Sequence, residues 1–257
     1  MDEIAFLADS IASRYGSIKR ARGAFLYTAK GQRLTDLYAE GGRAILGWGG
    51  SPAVTVFKDV LSRGICGSYR TDWDYRLDKA LSDLLGFRAV SRVFGSLQDA
   101  QDALAECPVI WRPWSGKRYA ECPAVIVEPP FPMAEGITLL AVRQEPGLSP
   151  IPESARSICI PAPLKAALAR SLYDVIRAEK ERKEKDFFIY DTVLTRYWTR
   201  QGPWLTPKLP RERYRDFVLH CLDCSVVISP RYEQDSIVPF GADPGVFRAL
   251  ERAPFEF

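Results

Sequence analysis

The feature that most constrains this chain is a series of short apolar runs in its middle. They read "FRAVSRVF" (87–94), "PVIWRP" (108–113), "AVIVEPP" (124–130), "ITLLAVR" (137–143) and "SICIPAP" (157–163). Each is too short for a helix, and three are almost continuously apolar. Runs of that kind suit strands buried on both faces, as in a mostly parallel sheet. A helical stretch, "SLQDAQDALAE", separates the first two. The third and fourth lie too close for a crossover helix, so part of the sheet is expected to be antiparallel or irregularly connected.

The flanks are different. Residues 3–15 read as an amphipathic helix, with Ile4, Leu7, Ala8 and Ile11 at helical spacing. "AFLYTAKGQRLTDLYA" reads as a hairpin turning at "AKG", and the glycine-rich "EGGRAILGWGGSP" as a loop with unusual backbone angles. Pro52 opens a helix that stops at Gly64, and "WDYRLDKALSDLLG" is another. A long helix opens at Pro163, with Leu164, Leu168, Leu172, Val175 and Ile176 as its buried stripe. Beyond it, "DFFIYDTVLTRYWTRQG" reads as helical, "PWLTPKLP" as a turn, "RERYRDFVLHCLD" as a helix and "SVVISP" as a strand. A final strand and helix, "SIVPFGADPGVFRALERA", close the chain. Mixed α+β flanks around an α/β middle imply one outer domain split by an insertion. The expected division is 1–65 and 164–257 for the small outer domain and 66–163 for the inserted one.

Composition removes several classes of function. The 257 residues are 47% hydrophobic and 26% charged, ordinary for a globular protein, and a net charge of +3 spread over this length is too weak an excess to suggest nucleic acid or an anionic membrane, so neither is expected as a partner. No apolar run approaches the ~20 residues needed to span a bilayer. The N-terminus is acidic where a signal peptide would be basic, which implies a cytoplasmic address. Reduced cysteines follow, and Cys66, Cys107, Cys122, Cys159, Cys221 and Cys224 read as small buried hydrophobes. "CLDC" has a CxxC spacing, but a second pair is missing, so packing is favoured over zinc. His220 is the only histidine and lies in an apolar helical pattern, which argues against catalysis that uses histidine as a base.

Several segments, taken in order, resemble class III aminotransferases, which are fold-type I pyridoxal-phosphate enzymes. "RARGAFLYTAKGQRLTDLYAEGGRAILGWGGSPAV" is similar to the family's N-terminal segment, with Trp48 and Gly50 standing where the family has histidines. "LSDLLGFRAVSRVFGSLQDAQDAL" resembles the helix, strand and turn that hold the cofactor phosphate, with Gly95 and Ser96 as the cup. Ser96 and Asp99 read equally as a helix cap, the reading we favour. "PVIWRPWSGKRYA" resembles the segment whose aromatic stacks on the pyridine ring, which implies that role for Trp114. "PAVIVEPPFPMAEGI" resembles a strand ending in Glu-Pro and brings in Glu128. "APLKAALARSLYDVIRAE" resembles the helix joining the large and small domains, which makes Lys165 an ordinary helix residue. The resemblance implies a homodimer, with Ile4, Leu7, Ile11 and Trp48 as apolar groups that need cover.

The resemblance also exposes what is missing. The chemistry needs a lysine for the Schiff base and an aspartate against the pyridinium nitrogen. No lysine lies between Lys117 and Lys165, and no aspartate between Asp102 and Asp174. Where the aspartate belongs, this chain offers Val142 or Arg143. The expected fold is therefore α/β, a truncated fold-type I transferase-like fold whose reduced sheet is inserted in a split α+β small domain. The expected function is non-catalytic (binding, scaffolding or regulation), with no cofactor, no metal and a ligand that the sequence does not name. Two alternatives stay open. One is a pyridoxal-phosphate-dependent aminotransferase or aminomutase with a rearranged site that uses Lys165. The other is a phosphate- or cofactor-binding protein without turnover, using Gly95, Ser96, Trp114 and Glu128.

Overall fold

The computed structural model describes residues 2–67, 69–104, 109–144 and 157–257. The chain forms two compact units, one from Met1–Gly49 with Arg182–Phe257, the other from Gly50–Glu181. The outer unit is thus split and the α/β middle inserted into it. The boundaries lie at 49/50 and 181/182, whereas the sequence pattern placed them at 65/66 and 163/164. The difference has one cause: the helices on either side of the insertion pack on each other and on the middle.

The first unit begins with α1 (Glu3–Tyr15), capped by Asp2, whose carboxylate accepts from the Ile4 N–H. Leu7 and Ile11 are buried along it. A meander follows of β1 (Ile18–Arg22), β2 (Phe25–Thr28) and β3 (Arg33–Asp36), each antiparallel to the one before. Leu26 and Leu34 face the core from the inner side of this sheet. After β3 the chain passes through four consecutive residues with positive φ, from Ala39 to Gly42. The cause lies one residue upstream of Leu37. Asp36 is buried and accepts three hydrogen bonds, from Tyr38 N–H (2.9 Å), Ala39 N–H (3.0 Å) and the Trp48 indole (2.6 Å). Burial pushes the Asp36 carboxyl up from its usual range, against the pull of those three donors. Trp48 is further held by a two-way backbone pairing with Gly23. A Cβ on Gly47 would come within 3.3 Å of the Gly23 Cα, so this approach requires glycine.

The inserted unit starts at α2 (Pro52–Ser62), with Pro52 in its first turn and Ser51 as cap. Next comes α3 (Asp72–Leu85), which carries a full capping box between Thr71 and Asp74 and ends at left-handed Gly86. Then follow β4 (Ala89–Phe94), α4 (Leu97–Asp102), β5 (Val109–Ile110), β6 (Ala124–Val127), β7 (Thr138–Arg143) and α5 (Ala162–Glu181). The sheet order is β4-β7-β6-β5. It is a mixed sheet: β7 runs antiparallel to both neighbours, and β5 and β6 are parallel. The short link between β6 and β7, noted from the sequence, is what reverses the direction. All four residues of β6 and the first four of β7 are buried. At about 2 kcal/mol per buried branched side chain, these two central strands carry the sheet, and two residues suffice for β5. On one face Phe94, Ile126 and Leu140 pack with Ala100 and Ala103. The run at 157–161 is not a strand; among the described residues its bond to the sheet is from Ile158 N–H to the Val93 carbonyl.

Helix α5 packs on α2 and α3. Ala162 and Ala166 meet Val60, with Trp73 and Ile65 alongside. At its start Lys165, with a side chain only 12% exposed, donates to Asp74 of α3 at 2.5 Å. Burial alone would raise the Asp74 carboxyl, but the bond and charge of Lys165 and the Thr71 N–H hold it below the usual carboxylate range.

The chain then returns to the first unit through two short helices, α6 (Lys185–Phe188) and α7 (Asp191–Leu194). Here the sequence reading fails. The stretch read as helix followed by a turn is the hairpin β8 (Trp198–Gln201) and β9 (Trp204–Pro207), turning at positive-φ Gly202. Pairing of β9 with β11 and the burial of Trp198 and Leu205 outweigh the helical spacing there. The helix α8 (Arg211–Asp223) comes next, then β10 (Val226–Val227), parallel to β3. The strand β11 (Ser236–Ile237) pairs with β9, and α9 (Arg248–Arg252) ends the unit.

Two substitutions test these anchors. Asp36→Ala strands three donors in the interior and should destabilise the protein by about 3 kcal/mol in urea unfolding. Lys165→Met should cost about 1 kcal/mol at neutral pH, because Asp74 is 46% exposed and solvent screens the pair. The Asp74 carboxyl is depressed in the folded state, so this contribution is present at neutral pH and is lost as pH falls through its folded value. The gap between wild type and Lys165→Met should therefore close in acid.

Candidate functional site

The inserted sheet brings the four candidate residues to one end. Val93 of β4 and Val127 of β6 both pair with Leu139 of β7, so β4 and β6 run parallel and end level. β5 runs parallel to β6 and ends on the same side. Gly95 and Ser96 follow β4, Trp114 follows β5 by four residues, and Glu128 follows β6 directly. Strand ends grouped in this way form the usual ligand crevice of an α/β sheet.

The side chains at that end tell a different story. The Ser96 hydroxyl accepts from Asp99 N–H at 3.0 Å, so Ser96 caps α4, a helix of only six residues. The Asp99 carboxylate lies 3.7 Å from where a Cβ on Gly95 would stand. A negative charge thus occupies the place of the expected phosphate cup. Trp114 has positive φ, and its backbone N–H donates at 2.7 Å to Glu179 of α5. Burial pushes the Glu179 carboxyl up, with that N–H opposing. Glu128 is exposed, while Pro129, Pro130 and Phe131 behind it are buried, and the Phe131 ring packs on Phe57 of α2. None of the residues following the three strands (Gly95 and Ser96, Trp111 to Trp114, Glu128 to Phe131) is a lysine or an aspartate. Lys165 is paired with Asp74. This donor set does not fit pyridoxal phosphate.

Other expectations resolve locally. His220 binds the Ala253 carbonyl at 2.7 Å and touches the Cys224 sulfur at 3.9 Å, a structural role. Cys221 and Cys224 are buried as expected, and burial raises both thiols; Cys66 and Cys159 are exposed instead, and Cys107 lies outside the described residues. Among the described residues, no group of histidine, cysteine or carboxylate side chains is placed to hold a metal ion, and no helix is long and apolar enough to cross a membrane. Leu7 and Ile11 are buried within their own unit, while Ile4 and Trp48 are half-buried, the Trp48 indole bonded to Asp36.

Sequence reasoning missed Asp36, Asp74 and Glu179. Asp36 had a signal, an aspartate closing a strand just before a glycine-rich turn. A small cavity of about 50 Å³ lies beside it, lined in part by Trp48, Arg182 and Phe240. The Arg182 guanidinium stacks over Phe240 at 3.8 Å and donates to the Ile45 carbonyl at 3.1 Å. That space holds little more than a water or two.

Comparison with known proteins agrees with the architecture. The structure is similar to ornithine aminotransferase from Plasmodium yoelii, with TM-score 0.64, 10% identity, and coverage of 98% of this chain and 97% of that one. It is similar to a glutamate-1-semialdehyde aminomutase from Pseudomonas aeruginosa PAO1, with TM-score 0.64, 11% identity, and coverage of 91% and 85%. At such identities the likeness shows the fold alone: a truncated fold-type I transferase-like fold. No protein-family model matches the chain. In sequence, a protein of Treponema pallidum (strain Nichols), known as an uncharacterized protein, is 30% identical over 280 residues, spanning 89% of this chain and 91% of its own. The chain belongs to the same family as that Treponema pallidum protein.

Proposed function

We propose that this protein is a non-catalytic relative of the class III aminotransferases, acting in the cytoplasm by binding, scaffolding or regulation. One observation carries the reading. Lys165, the lysine that a rearranged site would use, has a side chain only 12% exposed and is already engaged in an ion pair with Asp74 of α3, where it is not presented to a carbonyl substrate. The buried Pro129, Pro130 and Phe131 support it, because the chain's own side chains stand where the strand ends would open on a ligand. The second reading, a phosphate-binding protein without turnover, is favoured only by the convergence of Gly95, Ser96, Trp114 and Glu128 on one sheet end.

Mixing the purified protein with pyridoxal phosphate and an amino donor should give no amino transfer, and borohydride should fix no stoichiometric adduct on Lys165. Amino transfer that Lys165→Ala abolishes would instead establish the rearranged enzyme.

The same reading includes a homodimer. Its support is now in the inserted unit, where Leu61, Tyr69, Tyr75 and Met133 are exposed, between 46% and 83%. Light scattering at micromolar concentration should give twice the 28.9 kDa chain mass; a single chain mass throughout a dilution series would exclude the dimer.

A further inference from the structure

The meander β1–β3 has a second face that no function discussed so far uses. Register fixes which side chains share it. Arg20 pairs with Tyr27 and Tyr27 with Arg33, making one cross-strand row; Arg22 pairs with Phe25 in the next. The opposite face carries the buried Leu26 and Leu34. On the open side Arg20, Arg22 and Arg33 are exposed, and Phe25 and Tyr27 are half-buried beneath them. The Arg20 guanidinium lies 5.1 Å from the Tyr27 ring centre, and Arg33 4.5 Å from that of Phe25. Among the described residues no carboxylate pairs with any of the three arginines, or with the neighbouring Lys19.

The local charge is the decisive quantity. From Ser17 to Thr35 there are five cations (Lys19, Arg20, Arg22, Lys30, Arg33) and no acid, whereas the whole chain carries only +3, so the remainder is net negative. The chain-wide excess that gave no reason to expect nucleic acid averages this patch away. We propose that the open face of β1–β3 binds single-stranded nucleic acid. Cations alone would fit any polyanion. The two ring-and-guanidinium stacks add flat platforms on an open sheet, which unstacked bases can meet and a carboxylate chain cannot use. A duplex is disfavoured, because its bases are stacked inside and its groove takes a helix or a ribbon, which an open sheet face does not present.

The test is fluorescence anisotropy of a labelled single-stranded oligonucleotide of about 12 nucleotides with the full chain. Polyglutamate and phosphatidylserine vesicles serve as competing arms. Three phosphate contacts predict that log K falls with log salt at a slope of about −2. The triple variant Arg20→Ala, Arg22→Ala, Arg33→Ala should bind at least about tenfold more weakly and with a flatter slope. Tyr27→Leu should weaken binding about fivefold or more with the slope kept, since stacking and not charge is lost. The three arginines are exposed and Tyr27 half-buried, and an unchanged thermal melt confirms that each variant is folded. The proposal is overturned if the oligonucleotide does not bind at low salt, if the folded triple variant binds like wild type, or if polyglutamate or the vesicles bind as tightly as the oligonucleotide.

Discussion

One buried carboxylate organises the outer unit. Asp36 sits at the end of β3 and collects two backbone N–H groups and an indole N–H. An aspartate in the interior without such donors would be expelled or would unfold its surroundings. With them, it fixes two things. It holds the backbone through a run of positive φ that Ala39 and Glu40 would otherwise avoid, and the two glycines that follow adopt it at little cost. It also draws Trp48 back across the loop, so that Gly47 can lie on Gly23.

The inserted unit separates two properties that usually go together. Strand direction and register alone determine that β4, β5 and β6 end on one side, and that geometry is that of a ligand-binding α/β sheet. The chemistry of the site depends on side chains that the backbone does not dictate. Here those positions hold a capping serine beside Asp99, a tryptophan whose backbone serves Glu179, and a buried Pro-Pro-Phe. Backbone architecture and side-chain chemistry are thus set separately, which is why fold-level likeness is a weak argument for activity.

How much of this was legible depends on how local its cause is. The helix at 3–15, the Pro52 start and the Gly86 stop come from signals within a few residues, and they are read directly. So is the reversal between β6 and β7, which rests on the length of one link. Less local causes were not readable. "RYWTRQGPWLTP" carries apolar spacing compatible with a helix, and only pairing with β11 and burial of Trp198 and Leu205 make it a hairpin. The 157–161 run is apolar enough for a strand but, among the described residues, bonds to β4 only through Ile158. The domain boundary was misjudged because α2 and α5 associate through small residues such as Ala162 and Ala166, whose close approach leaves no mark in hydropathy. In the candidate site, residue order along the chain was legible and side-chain partners were not. Nothing near Lys165 in sequence announces Asp74.

Arg182 is the first residue after the insertion, and it donates to Ile45, five residues before the insertion begins. The exit and the return of the chain are therefore tied side by side within the outer unit. Closing a loop costs free energy that grows only with the logarithm of its length, and a clamp at its neck makes the outer unit still less sensitive to what lies between. Segments can be lost from, or added to, the middle of such a chain while both ends keep their partners. A fold built this way can be shortened from the inside.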